Sequence, residues 1–148
     1  MSTIRSSFYK NALYSKKKNL RIFQQECPEF VTEIEKEKLD FNKISYLSEL
    51  YLRPLLKENI EELILGCSHY PLIIDFLRKK IDSDINIIDP SVALIQKFNE
   101  SFAIPKTVSC ECISYDNVRF FVTSEKDEFF KKVKFWLEIN KEISVVNL

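Results

Sequence analysis

The sequence predicts an α/β protein with a layered, largely parallel sheet. Short apolar runs of strand length alternate with longer segments whose apolar residues recur at helical spacing. Prolines at 28, 71 and 90 stand where helices would open, the position at which a missing N–H costs least.

Taken in order, "RSSFYKNALYSKK" places Phe8, Ala12 and Leu13 on one helical face. "NLRIFQQ" reads as a short strand, Leu20 to Gln24. "CPEFVTEIEKEKL" reads as a helix begun by Pro28, with Phe30, Val31 and Ile34 facing inward. Asp40 or Asn42 is suited to cap the next helix, "KISYLSELYLRPLLKEN". Ile44, Leu47, Leu50, Tyr51, Leu55 and Leu56 form its apolar face, and Pro54 predicts a kink or a fresh start. "EELILG" has the doubly apolar centre of a buried parallel strand. "YPLIIDFLRKKI" returns to helix, "INIID" (Ile85 to Asp89) to strand and "PSVALIQKFNESF" to helix. "VRFFVTS" (Val118 to Ser124) is the last expected strand. An amphipathic helix follows, with Ser124 as its cap and Asp127 three residues on. No internal repeat or low-complexity linker interrupts the pattern. A helix-like segment stands almost at Met1 with no strand before it, whereas α/β units usually open with a strand. That start is read as missing its upstream part.

Composition narrows the function classes. Hydrophobic residues make up 45% of the chain, enough apolar material for a core. Lys+Arg and Asp+Glu balance at 22 each, so net charge points to neither nucleic acid nor an anionic membrane surface. The basic run at Ser15 to Asn19 reads as a solvated helix end. No apolar stretch approaches the roughly 18 residues of a membrane span, and the N-terminus lacks a signal-peptide core. A cytoplasmic protein with reduced thiols is the expectation. Cys27, Cys67, Cys110 and Cys112 form no paired CxxC array, so no structural metal site is expected. Cys110 and Cys112 read as small, half-buried residues.

"EELILGCSHYPLIIDFL" concentrates the rare residues. Gly66 is the only glycine where average usage would give roughly ten, and His69 is the only histidine. A loop at the carboxyl end of a buried strand is where open α/β sheets bind ligands. The start of the following helix favours anions and lowers a thiol's pKa. Gly66 would let the backbone bend tightly or approach a ligand closely. A thiol, a hydroxyl and an imidazole therefore converge at Cys67, Ser68 and His69. Spacing alone leaves a functional and a structural reading both open, since a cysteine after a strand is often only a small core residue. A hydrolytic Cys/His dyad needs a third group to orient it.

"LILGCSHYPLI" resembles the second cysteine motif of bacterial glutamate racemases, LxLGCTHYPLL, with Ser68 keeping the hydroxyl of the family's threonine. "STIRSSFYKNAL" is similar to the family's ATVxSGAY segment, "QQECPEFVTEIEKEKLD" to its ACPxFVPLVE segment, and "IIDPSVALIQKF" to its IDSGxAIA segment. "VRFFVTSEKDEFFKKVKFWL" is similar to the terminal strand and helix, so the likeness runs in order along nearly the whole chain. The aspartate racemases of the same superfamily commonly carry glutamate where His69 stands, which favours the glutamate branch.

The resemblance implies a cofactor-independent (PLP-independent) isomerase. It would interconvert L- and D-glutamate through two cysteines on opposite faces of the substrate and supply D-glutamate for peptidoglycan, and so for cell wall biogenesis and cell shape. Carried over by position, Cys67 is the second catalytic cysteine. Ser68 and His69 contact substrate, and His69 assists proton transfer. Thr3 contacts substrate, and Glu35 pairs with the histidine. Gly66 supports the turn, and Cys27 matches a family cysteine of packing role. The family's first half, with an Asp-Ser, a Tyr-Gly pair and the first cysteine followed by Asn-Thr, has no match here. The chain therefore resembles the C-terminal half. Residues 1–89 would be a partial second domain, and 90–148 a segment completing the missing first domain. The expected strand at Val118 to Ser124 and the terminal helix would lack their native sheet partners, and apolar surface would be exposed. A homodimer, or association with a separate N-terminal half, is the implied partnership.

Overall fold

The structure is a computed structural model that describes residues 4–102, 115 and 117–147. It divides into two compact units, Met1–Phe98 and Asn99–Leu148. Mixed helices and parallel strands make it α/β, as the alternation predicts.

The first unit holds α1 (Phe8–Lys16), α2 (Pro28–Ile34), α3 (Phe41–Leu56), β1 (Glu62–Ile64), a 3₁₀ helix (Tyr70–Ile73), α4 (Ile74–Arg78) and β2 (Asn86–Ile88). Most of α5 (Pro90–Ser101) also belongs to it. β1 and β2 pair in parallel, with Leu63 opposite Ile87, and the Leu65 N–H extends the ladder to the Ile88 carbonyl at 2.9 Å.

The core is built around α3. Asp40 caps it, its carboxylate accepting the Asn42 and Lys43 N–H groups at 3.0 Å each. Ile44, Leu47, Ser48, Tyr51 and Leu52 are buried at helical spacing. Phe30 and Ile34 of α2, Leu63 and Leu65 at the strand, and Ile73 and Leu77 beyond it are buried too, and α3 lies against α2 and α4. Each such buried aliphatic contributes about 1.5–3 kcal/mol. Leu50, assigned from sequence to this face, is exposed, and Ser48 lies inside instead. Its hydroxyl donates to the Ile44 carbonyl at 2.8 Å, which satisfies it without a partner from another element.

Several elements depart from expectation. Leu20 to Gln24 is not a strand, because no neighbour among the described residues offers a ladder. α3 continues through Pro54 to Leu56 as one helix, so no fresh start occurs there, and the proline stands in its last turn. "YPLIIDFLRKKI" is divided at Ile73, whose backbone leaves helical values (φ −113°, ψ 18°) while its side chain is fully buried.

The second unit holds β3 (Phe120–Val122), α6 (Lys126–Leu137) and β4 (Ile143–Val145). β3 pairs in parallel with β4, Phe121 opposite Ser144, and α6 forms the crossover that parallel pairing requires. The α6 cap is Glu125 in a left-handed conformation (φ 53°), so Ser124 lies one residue too far out to serve. Apolar side chains are exposed in both units, including Leu94 and Ile95 of α5 and Phe121 of β3. No helix among the described residues is long and apolar enough to cross a membrane.

Candidate active site

β1 delivers the chain into a loop, Leu65 to His69, and the 3₁₀ helix closes it. The Tyr70 N–H donates to the Cys67 carbonyl at 3.2 Å, and the Leu72 N–H to that of His69 at 3.1 Å. Cys67 and His69 are half-buried, and Ser68 is exposed. Sγ of Cys67 lies 3.7 Å from Nδ1 of His69. On the other side of the ring, Nε2 is 2.8 Å from Oε1 of Glu35. Glu35 is the C-cap of α2, held there by its own N–H to the Val31 carbonyl at 2.9 Å.

A carboxylate only accepts, so this contact places the ring proton on Nε2. Nδ1 of the neutral imidazole is then an acceptor facing the thiol. Carboxylate, imidazole and thiol form a line that can take the proton of Cys67 and stabilise the thiolate left behind. Glu35 is the third, orienting group that the sequence spacing of Cys67 and His69 could not supply.

A second thiol stands beside this line. Cys27 is the N-cap of α2 and half-buried. Burial pushes its thiol up to about 11, and Cys67 nearby adds to the rise; its Sγ donates to the Gln25 carbonyl at 3.6 Å. The Tyr70 hydroxyl is itself held above the ordinary tyrosine range by burial and by the two thiols. Its ring packs edge-on against Phe30, with centroids 5.4 Å apart. The Cys27 thiol thus has a polar contact with its own loop beyond the packing expected of it, and Tyr70 meets the site through its backbone N–H on the Cys67 carbonyl.

Gly66 has no left-handed φ, so its backbone conformation does not by itself demand glycine. A Cβ there would meet Cε2 of Tyr9 at 3.8 Å, an ordinary contact. The expected helix dipole behind the loop is also reduced, because a four-residue 3₁₀ helix and a five-residue α4 replace one continuous helix. Thr3, Cys110 and Cys112 lie outside the described residues.

No family model matches the chain. Among curated proteins it is 39% identical over 148 residues to the glutamate racemase of Prochlorococcus marinus strain NATL1A, covering 99% of this chain and 56% of the relative. It is 29% identical over 146 residues to that of Synechococcus sp. strain CC9605, covering 97% and 55%. Among solved structures it matches a glutamate racemase isoform from Bacillus anthracis with a TM-score of 0.79 at 28% identity, covering 99% of this chain and 54% of that one. It also matches the glutamate racemase from Francisella tularensis subsp. tularensis SCHU S4 in complex with D-glutamate, with a TM-score of 0.74 at 26% identity, covering 98% and 54%. The chain spans about half the length of the relatives it matches.

Proposed function

We propose that this chain, similar to the glutamate racemases in sequence and in fold, supplies one acid/base wall of a cofactor-independent glutamate racemase. The observation that carries the reading is the continuous line from Glu35 through His69 to Cys67, with contacts of 2.8 and 3.7 Å.

Racemisation removes the α-proton from one face of the amino acid and returns a proton to the other. Cys67 as thiolate takes that proton from one enantiomer and becomes a thiol. In the reverse direction the thiol protonates the carbanion formed from the other enantiomer. His69, oriented by Glu35, accepts and returns the thiol proton, a role of general acid/base type worth about 10²–10⁴ in rate. Ser68 and Thr3 bind substrate and fix its orientation. The opposite face needs a second thiol, and no Cys-Asn-Thr motif occurs in these 148 residues. We assign that wall to an N-terminal racemase half outside these 148 residues, with residues 1–89 as the partial domain bearing Cys67 and 90–148 as the segment that completes the other domain. The product would be D-glutamate for peptidoglycan, made in the cytoplasm.

The same missing motif favours a second reading, a non-catalytic racemase fragment. Loss of α-deuterium from L- and D-glutamate separates the two. The proposal expects exchange when the chain is mixed with an N-terminal racemase half, and none with Cys67→Ser. No exchange in that mixture leaves the fragment reading. Racemisation at family-like rates by this chain alone would overturn the two-wall assignment. A hydrolytic role for the thiol is checked by turnover of an acyl thioester substrate, which is expected to be absent.

A further inference from the structure

We propose that Phe30 is a positioning residue for the reacting thiol. Its ring is the middle member of an aromatic row, Tyr51, Phe30 and Tyr70, that seats the loop after β1 on α2 where Glu35 reaches His69. The inference rests on the reading that Cys67 is the reacting thiol, and it carries that reading to a core residue outside the line from Glu35 to Cys67.

α2 holds two consecutive residues at the end of the loop. Glu35, its C-cap, meets His69 at 2.8 Å. Phe30 meets the ring of Tyr70 edge-on, with centroids 5.4 Å apart and planes at 70°. Tyr70 closes the loop in turn, its N–H on the Cys67 carbonyl at 3.2 Å. Phe30 also meets Tyr51 of α3 edge-on, at 5.1 Å and 80°. The Tyr51 hydroxyl is pinned by the residue before Phe30. It donates to Oε1 of Glu29 at 3.3 Å and accepts the Glu29 N–H at 3.4 Å, while Nζ of Lys43 lies 3.0 Å from Oε2 of the same carboxylate. The row therefore runs from α3 through α2 to the loop.

The two holds on the loop are unequal. Glu35 and His69 are partly exposed, with side chains 46% and 32% accessible, and pairs in that setting hold weakly against water and salt. Phe30 is 2% exposed and Tyr51 8%. Edge-on aromatic contacts are directional as well as apolar, so Phe30 orients the Tyr70 ring where an aliphatic side chain would only fill space. Sγ of Cys67 and Nδ1 of His69 are 3.7 Å apart, so a small displacement of the loop loses the contact. Misplacement of reacting groups by about 1 Å can cost about 10²-fold in rate.

His69 is the chain's only histidine, so its imidazole NMR signals assign themselves. The test uses the full chain and reads those signals, the rate of Cys67 alkylation by iodoacetamide located by mass spectrometry, and the melting temperature. Phe30→Leu keeps the position apolar and removes both edge-on contacts. We expect its imidazole signals to move toward those of Glu35→Ala and its alkylation rate to fall roughly tenfold, with the melting transition still cooperative. Tyr70→Leu breaks only the link to the loop and should do the same, whereas Tyr70→Phe keeps the ring and should match the parent. The double variant Phe30→Leu/Tyr70→Leu should add nothing to Tyr70→Leu in either site readout. Ile44→Val is the control, because Ile44 is fully buried in α3 and outside the row. It should lower the melting temperature and leave the imidazole signals and alkylation as they are. Parent-like signals and alkylation in Phe30→Leu, or in Tyr70→Leu should the former not fold, would reduce Phe30 to packing and overturn the proposal. So would an Ile44→Val chain that moves both site readouts as far as Phe30→Leu does. None of these readouts needs racemisation. A chain that behaves as expected but never exchanges the α-proton of glutamate sinks the proposed function and leaves the positioning role standing.

Discussion

Oε1 of Glu35 lies 2.8 Å from Nε2 of His69, which joins the end of α2 to the loop after β1 across 34 residues of sequence. The contact fixes which ring nitrogen carries the proton and leaves the other to face Cys67. Glu35→Ala should therefore change chemistry more than stability. A partly exposed pair of this kind contributes about 0–1 kcal/mol, so urea unfolding should shift little. Alkylation of Cys67 should slow several-fold as the imidazole loses its preferred tautomer. A stability loss above about 2 kcal/mol with unchanged alkylation would make Glu35 a structural residue.

Gly66 gives a different expectation. Its backbone needs no left-handed φ, and the space for a methyl group is bounded, among the described residues, only by an ordinary contact with Tyr9. Gly66→Ala should keep the fold and stabilise it by as much as about 1 kcal/mol, through the smaller entropy of the unfolded chain. If close approach of substrate explains the glycine, the same variant should weaken glutamate binding in calorimetry of the assembled enzyme. A destabilisation above about 2 kcal/mol would mean that the turn itself requires glycine.

The uneven legibility of this chain follows from where each interaction lives. The buried runs "EELILG" and "INIID" are local in sequence, and each contains a strand, Glu62–Ile64 and Asn86–Ile88. β4 is three residues long, too short to carry a period beside the stronger helical pattern before it. "NLRIFQQ" has strand-like residues, but Arg21 and Phe23 face solvent and Arg21 pairs with Glu58 at 3.2 Å. Cys67 and His69 stood out because the only glycine and the only histidine flank the thiol. The link from His69 to Glu35 was reached only through resemblance, because side chains 34 residues apart meet through tertiary packing. The packing of Tyr70 against Phe30 had no sequence signal at all. Tyrosine beside proline reads locally as a helix opening.

The same packing makes the α3 cap a sensitive point. Asp40 satisfies two N–H groups at the start of the helix that carries Ile44 and Leu47, both fully buried. Asp40→Ala should lower the unfolding free energy by about 1 kcal/mol, and Asp40→Asn should recover most of it. Both are measured by urea denaturation of the purified chain. Equal stability of the alanine variant and the parent would show that water satisfies these groups as well as the carboxylate does.

The buried thiol and phenol behind the loop predict how the chain responds to alkali. Cys27 titrates near 9.0 when free and about 11 in the fold, with burial as the main cause. Between those values the unfolded chain has released a proton that the folded chain still holds. The fold binds more protons there, so stability falls as pH rises. The contribution is intact below about pH 9, declines from there to about pH 11, and is constant beyond. Tyr70, also raised above its ordinary 10.0 by burial, adds a loss of the same sign at higher pH. Urea midpoints measured from pH 8 to pH 10.5 should therefore decrease, and Cys27→Ala should show a shallower decrease than the parent. A parent and variant with the same slope would remove Cys27 as the titrating group, and a rise in stability over that range would contradict the burial of both.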